Sequence, residues 1–196
     1  MSKPKILFGT NNPNKLREIR EMLSASYEVL SLADVGIQMD VEETEPTLAG
    51  NAILKAEAFA KAAGLPCFSD DSGLEVDALD GAPGVISARY AGLNCSSDDN
   101  IDKLLRELGD AHDRQARFRC VIAFHEAGHN ECFEGKVEGN ILFERQGNGG
   151  FGYDPIFQPT GYEISFAEFD SDEKNTISHR GIAVRKFVEY LLNRSA

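Results

Sequence analysis

Four groups of residues in this chain carry types and spacings that can do chemistry. The first is Thr10-Asn11-Asn12-Pro13-Asn14-Lys15, a polar loop between an apolar run and a helical pattern. Backbone N–H groups at a helix start favour anions, side-chain amides add donors, and Lys15 brings positive charge to the same end. That is phosphate chemistry. Read alone, the hexapeptide is more simply a helix cap in a solvated loop, since short motifs often match by chance, and it is not a Walker loop, because G-x-x-x-x-G-K-[ST] is absent. The second group is Asp70-Asp71-Ser72-Gly73, at the junction of two apolar segments, with Glu42-Glu43 in an earlier acidic stretch. Hard cations such as Mg²⁺ take carboxylate oxygens, usually one or two from protein, and complete their shell with water and substrate phosphates. A carboxylate that the metal does not consume can act on a water. An Asx-type turn in a solvated charge run is the other reading of the same residues.

The third group is Gly149-Gly150-Phe151-Gly152-Tyr153-Asp154-Pro155. Glycines around two aromatics let backbone and ring approach a flat ligand such as a purine, and a glycine-rich turn with core aromatics has the same composition. The fourth is Lys174 with Ser178-His179-Arg180-Gly181, placed just ahead of the last helix. The planar fork of Arg180 matches the O6 and N7 acceptors of a 6-oxopurine and meets a donor on adenine. Ser178 is also a plausible helix cap, and a lone histidine such as His179 is more often capped or exposed than functional. Together, phosphate donors, acidic metal ligands, an aromatic shelf and an arginine base reader are what a nucleotide hydrolase needs.

The elements that position these groups follow from hydrophobic spacing. Lys5 to Thr10 reads as a buried strand, and Leu16, Ile19 and Leu23 mark a helix after the polar loop. With a strand at Tyr27 to Leu32, this is an opening β-loop-α-β unit. The acidic loop Asp40 to Pro46 precedes a helix from Leu48 to Ala63, stopped by Gly64-Leu65-Pro66. Cys67-Phe68-Ser69 is a strand that runs into the Asp70-Asp71 doublet, and the pattern resumes at Leu74 to Val76. Gly81-Ala82-Pro83-Gly84 is a turn, and Ser97 to Leu108 a helix with Ser97 as its cap. Arg117 to Phe124 alternates as a half-buried strand, Glu131 to Phe143 gives one or two antiparallel strands, Gly147 to Gly150 is a loop, and Ile182 to Leu192 closes the chain as a helix.

Composition narrows the partners. With 20 basic against 32 acidic residues in 196, the net charge is −12, which argues against a protein that grips nucleic acid by phosphate neutralisation. A small anionic ligand then needs local lysines and a divalent cation, because the global field repels it. Hydrophobic residues at 42% and charged ones at 27% are ordinary for a chain with a real core, and neither repeat nor linker divides it. Cys67, Cys95, Cys120 and Cys132 contain no C-x-x-C pair and read as reduced thiols. The short apolar stretch after Lys5 is no signal h-region, and no run reaches the ~18 apolar residues of a membrane span. The default address is the cytoplasm.

The ordered motifs resemble the inosine triphosphate pyrophosphatase family, the non-standard purine nucleoside-triphosphate pyrophosphatases. The resemblance runs from Leu7 to the final helix. It rests on Thr10-x-Asn12-x-x-Lys15-x-x-Glu18, Glu42-Glu43-Thr44, Asn51-Ala52 with Lys55-Ala56, Ser69 to Leu74, Gly81 to Gly84 with Ser87-Ala88-Arg89-Tyr90, Gly150 to Phe157, and Glu173-Lys174-x-x-x-Ser178-His179-Arg180-Gly181. It implies an α/β fold with two lobes around a long mixed β-sheet flanked by helices. The whole chain would be one nucleoside-triphosphate pyrophosphatase domain with the active site in the cleft, and a homodimer. The implied activity is Mg²⁺-dependent hydrolysis of ITP, dITP and XTP to the monophosphate and pyrophosphate, which clears deaminated purines from the nucleotide pool. By position, Thr10, Asn11, Asn12, Pro13, Asn14 and Lys15 would form the phosphate loop, and Lys55 a second phosphate cation. Glu43 and Asp71 would hold the metal, and Asp71 would accept the proton of the attacking water. Ser72 would touch substrate, Phe151, Gly152, Tyr153 and Asp154 would line the nucleoside pocket with Phe151 stacking, and Lys174, His179 and Arg180 would complete it around the base. Many relatives have glycine where Glu45 stands and glutamate where Gly50 stands, so Glu42 or Glu45 could share the metal with Glu43; Asn11 replaces a frequent glycine. The alternatives are a sensor that binds a purine triphosphate without cutting it and, against the charge, a nucleic-acid-binding domain.

Overall fold

Ile6, Leu7 and Phe8 are all buried in the first strand, β1 (Lys5–Phe8), because both of its faces are covered. The polar loop follows and enters helix α1 (Pro13–Leu23), with Pro13 at a first-turn position where its missing N–H is no loss. Strand β2 (Glu28–Leu30) returns parallel to β1, with Ile6 opposite Val29, which completes the opening unit. Helix α2 (Leu48–Ala63) is capped by the Thr47 side chain and ends on Gly64 in the left-handed conformation, at the bounds the spacing predicts. Strand β3 (Cys67–Val76) then pairs parallel with β1. Helix α3 (Ser97–Leu108), strands β4 (Gln115–Glu126), β5 (His129–Ile141) and β6 (Phe157–Pro159), and helices α4 (Ser171–Ile177) and α5 (His179–Arg194) complete the chain. The six strands form one mixed sheet in the order β2-β1-β3-β4-β5-β6, with β5 and β6 antiparallel. The computed structural model describes residues 3–194.

Two compact units share these elements. The first holds the chain up to Asp71, residues Cys120–Gly135 and the chain from Gly181; the second holds Ser72–Arg119 and Lys136–Arg180. In the first unit alternate residues of the strands serve different helices. Ile6, Phe8 and Phe68 pack with Ile19 and Leu23 of α1 and Phe187 of α5, whereas Leu7 and Cys67 pack with Phe59 and Ala60 of α2. Burial pushes the Cys67 thiol up to about 12, which keeps it a protonated packing group. In the second unit Leu74, Val76, Phe118, Tyr153, Phe157 and Phe166 share a core with α3 residues Ile101, Leu104 and Leu108.

The structure corrects several expectations. The Asp70-Asp71 doublet does not separate two strands: β3 is continuous through it, because both carboxylates find cationic partners inside the fold. The cap of α3 is Ser96, not Ser97, since Asp99 stands three residues after Ser96 and closes a reciprocal capping box, whereas Asn100 stands three after Ser97. Glu131 to Phe143 lies mainly in a single strand that begins earlier, at His129, after a two-residue turn with Ala127 and Gly128 both at positive φ. His179 and Arg180 lie inside the first turn of α5, not ahead of it, and Lys174 lies in α4, a helix too short for apolar periodicity to reveal. Among the described residues no helix is long and apolar enough to cross a membrane.

One position in the second unit gives a direct stability test. A Cβ on Gly73 would stand 2.4 Å from the backbone oxygen of Gly84, while the neighbouring Leu74 N–H donates to Ser87 Oγ at 2.9 Å. Gly73→Ala is therefore expected to destabilise by about 1–3 kcal/mol, as overpacking does. Urea unfolding should show a lower midpoint at an unchanged slope.

Candidate active site

Adjacent residues of a strand point to opposite faces, and this separates the two aspartates of β3. Asp70 follows Phe68 onto the α1 face, where its Oδ2 lies 3.0 Å from Lys15 Nζ and 3.8 Å from Cys120 Sγ. Asp71 faces α2, where Asn51 Nδ2 and Lys55 Nζ each donate at 3.4 Å, to Oδ2 and Oδ1 respectively. The doublet is therefore not a pair of carboxylates converging on one ion. What converges on one point is Asp71 with Glu43 of the acidic loop, whose Oε1 accepts from the same Lys55 ammonium at 2.6 Å. Glu42 and Glu45, in the same loop, are exposed.

Electrostatics in this cluster are dominated by burial. The Asp71 carboxyl is held above its usual range first by burial and then by repulsion from Glu43 and Asp70, against the pull of Lys55 and Lys15. For Lys55, burial works against the charged form, but the carboxylates of Asp71, Glu43 and Asp70 together outweigh it and raise its pKa. Such a cluster can hold a proton acceptor next to positive charge. Its chemistry also fits a divalent ion: Glu43 and Asp71 are hard oxygen donors brought to one place by different elements. No group of three or more His, Cys, Asp or Glu among the described residues forms a closed metal cage. A site with two protein carboxylates suits an ion that arrives with substrate phosphates and keeps water in its shell.

In the polar loop, the capping reading holds for Asn12, whose Oδ1 accepts from the N–H groups of Asn14 at 2.9 Å and Lys15 at 3.3 Å. Thr10 Oγ1 accepts from Asn12 N–H, and Asn11 Nδ2 donates to Met39 O at the edge of the acidic loop. Asn11, Asn12 and Pro13 are exposed, and Lys15 leans onto Asp70 with its side chain only 14% exposed.

The second unit carries the other candidates. Asp154 Oδ2 accepts from Phe151 N–H at 2.7 Å and from Lys174 Nζ at 2.8 Å, so one buried oxygen fixes both the loop and the lysine. A Cβ at Gly150 would stand 2.2 Å from that oxygen, and the residue sits at φ +71°, so only glycine fits there. The Phe151 ring lies 5.0 Å from Lys174 Nζ and 5.3 Å from Arg180 Cζ, within cation–π range of both. Arg180 Nη2 reaches Ser72 Oγ at 3.5 Å. His179 is buried and stacked on Phe118, with centroids 4.7 Å apart and planes at 11°. Tyr153 is buried too, its hydroxyl donating to Ser87 O at 2.8 Å, while Gly152 beside it is partly exposed. Each unit thus gathers its own set: Lys15, Asp70, Glu43, Asn51, Lys55 and Asp71 in the first, Ser72, Phe151, Asp154, Lys174, His179 and Arg180 in the second.

A family model for the Ham1 family matches residues 6–190. The chain belongs to the Ham1 family. Among Ham1 relatives, a protein of Porphyromonas gingivalis named dITP/XTP pyrophosphatase is 52% identical over 189 residues, 96% of this chain and 97% of its own. One of Bacillus subtilis with the same name is 47% identical over 189 residues, covering 94% and 96%. The solved Ham1 protein from Coxiella burnetii superposes with a TM-score of 0.90 at 41% identity, over 97% of this chain and 99% of that one. The Staphylococcus aureus Ham1 protein gives 0.88 at 41% identity, with the same coverage.

Asp70, Asn51 and Phe118 are the residues of this Ham1 chain that the sequence reading left without a separate place at the site. A signal existed for two of them. Period-two alternation along β3 assigns Asp70 and Asp71 to opposite faces, and the i, i+4 spacing sets Asn51 on the helical face of Lys55. Phe118 had none, because its partner His179 is far along the chain.

Proposed function

We propose that this chain hydrolyses non-standard purine nucleoside triphosphates (ITP, dITP and XTP) to the monophosphate and pyrophosphate, with Mg²⁺ as the metal ion. The observation that carries the reading is Asp71: a buried carboxylate on β3, held at each oxygen by a separate donor from α2, with Glu43 on the same lysine. Relatives of nearly the same length, at 52% and 47% identity, bear the name dITP/XTP pyrophosphatase.

A bound Mg²⁺ would supply Lewis acidity to the phosphate oxygens and offset their charge, held by Glu43 and Asp71. Asp71 accepts a proton from the attacking water as its oxygen bonds to phosphorus; the anhydride bond between the α and β phosphates breaks, and pyrophosphate leaves with the bridging oxygen. Lys15 and Lys55, with the Thr10–Asn14 loop, bind the triphosphate and counter the repulsion of a chain of net charge −12. Ser72 contacts the substrate. Phe151 offers a ring to the base, Gly152, Tyr153 and Asp154 shape that end, and Lys174, His179 and Arg180 complete it. Arg180 favours a 6-oxo group, whereas the 6-amino group of adenine sets donor against donor. We place the enzyme in the cytoplasm, where its substrate pool lies, as the homodimer implied by the family resemblance.

A panel of purine triphosphates tests the base reading. kcat/KM for ITP should exceed that for ATP by about 10²-fold or more, the scale set by an unpaired buried donor. Equal values would remove Arg180 as the reader. Tight binding of ITP without hydrolysis would instead make the chain a sensor.

A further inference from the structure

We propose that Asn51 is a positioning residue for hydrolysis, orienting the Asp71 carboxylate and tying the acidic loop to it; this rests on the reading of Asp71 as proton acceptor. Asn51 is fully buried in the first turns of α2, its own N–H donating to Thr47 O at 3.1 Å. Its side chain makes two different bonds. Oδ1 accepts from Glu45 N–H at 2.9 Å, and Nδ2 donates to Asp71 Oδ2 at 3.4 Å. The first bond dictates the second: a backbone N–H can only donate, so the amide oxygen must face Glu45 and the amide nitrogen must face Asp71.

Lys55, one turn further along the same face of α2, holds Asp71 Oδ1. Two donors from one rigid helix therefore grip the two oxygens of the carboxylate and fix its plane. The same lysine holds Glu43, and the same asparagine holds the backbone of Glu45. The acidic loop is thus tied to α2 at Glu43 itself and again at Glu45, while the same two α2 side chains hold Asp71 of β3. A carboxylate whose plane is fixed keeps its lone pair aimed at one position of the attacking water, and a small loss of that aim is costly in rate.

Two variants decide the matter. Asn51→Asp keeps the volume and the acceptor for Glu45 N–H but loses the donor to Asp71; Asn51→Ala loses both. For ITP with Mg²⁺, both should lower kcat by on the order of 10- to 100-fold, as a misaimed catalytic group does. KM should stay within about threefold, because the contact acts on the reaction rather than on binding. A wild-type kcat in either folded variant, or a KM that rises as far as kcat falls, would overturn the proposal. Asn51→Asp also brings a new negative charge beside Asp71, so a loss confined to that variant, with Asn51→Ala at wild-type kcat, would be the effect of charge alone and would overturn the proposal, and a loop anchor alone would show as a rise in KM. Circular dichroism checks folding, and failure of both variants to fold would also overturn it, since the residue would then be structural. Asp71→Asn measured alongside separates the two claims: full turnover there removes the proton-acceptor reading itself, whereas its loss beside normal Asn51 variants removes only this inference.

Discussion

Asp71→Asn should fold and lose metal-dependent turnover by about 10²-fold or more, the scale of a lost acid–base group. The substitution keeps the shape of the side chain and an oxygen to accept from α2, and Lys55 retains Glu43 at 2.6 Å. What it removes is the capacity to take a proton from water, together with one of the two carboxylate charges that would hold the metal. Folding should not suffer, because burial already works against the charged carboxyl at this position. The sign of the pH dependence follows. An acid whose folded pKa lies above its unfolded value holds more protons in the native state, so its contribution to stability falls as pH rises through that raised value. Asp71→Asn should therefore be no less stable than the wild type at neutral pH and should lack that part of the pH dependence. Turnover assays beside thermal melts read both effects, and near-normal turnover would exclude Asp71 as the proton acceptor.

The largest stability effect is expected at the second unit's ion pair. Lys174 and Asp154 are 9% and 4% exposed in their side chains and 2.8 Å apart. Removing one partner of such a pair leaves an uncompensated buried charge, a loss of about 3–5 kcal/mol, so Lys174→Met should unfold at a markedly lower urea concentration. The same oxygen of Asp154 holds Phe151 N–H, so the variant should also loosen the aromatic loop and raise KM for ITP. Replacing both partners, as in Lys174→Met with Asp154→Leu, should recover part of the stability but not the KM. A loss below about 1 kcal/mol in the single variant would mean that the pair behaves as an exposed one.

Much of this was legible from local rules. The helix start in the Thr10–Lys15 loop, the Leu48–Ala63 span of α2 with Gly64 behind it and the opening β1-α1-β2 unit follow from spacing and capping chemistry, which act within a few residues. The full bounds of β3 were not legible, because a run of Ser69, Asp70 and Asp71 reads as polar until the lysines that neutralise the aspartates are known. Those lysines come from two different helices. Nor could the sequence show that Tyr153 donates to Ser87 O or that His179 lies against Phe118, since both contacts join segments distant in the chain. The residue types of the candidate site were visible throughout. Their pairing was not: Lys15 with Asp70, Lys55 with Glu43 and Asp71, and Lys174 with Asp154 needed the fold.

The most direct measurement follows the products of dITP incubated with the purified chain, with Mg²⁺ and then with the ion chelated. Pyrophosphate and deoxyinosine monophosphate are expected in equal amounts, formed only while the ion is available. Orthophosphate as the product, or dITP bound and recovered intact in the presence of Mg²⁺, would contradict the proposed hydrolysis.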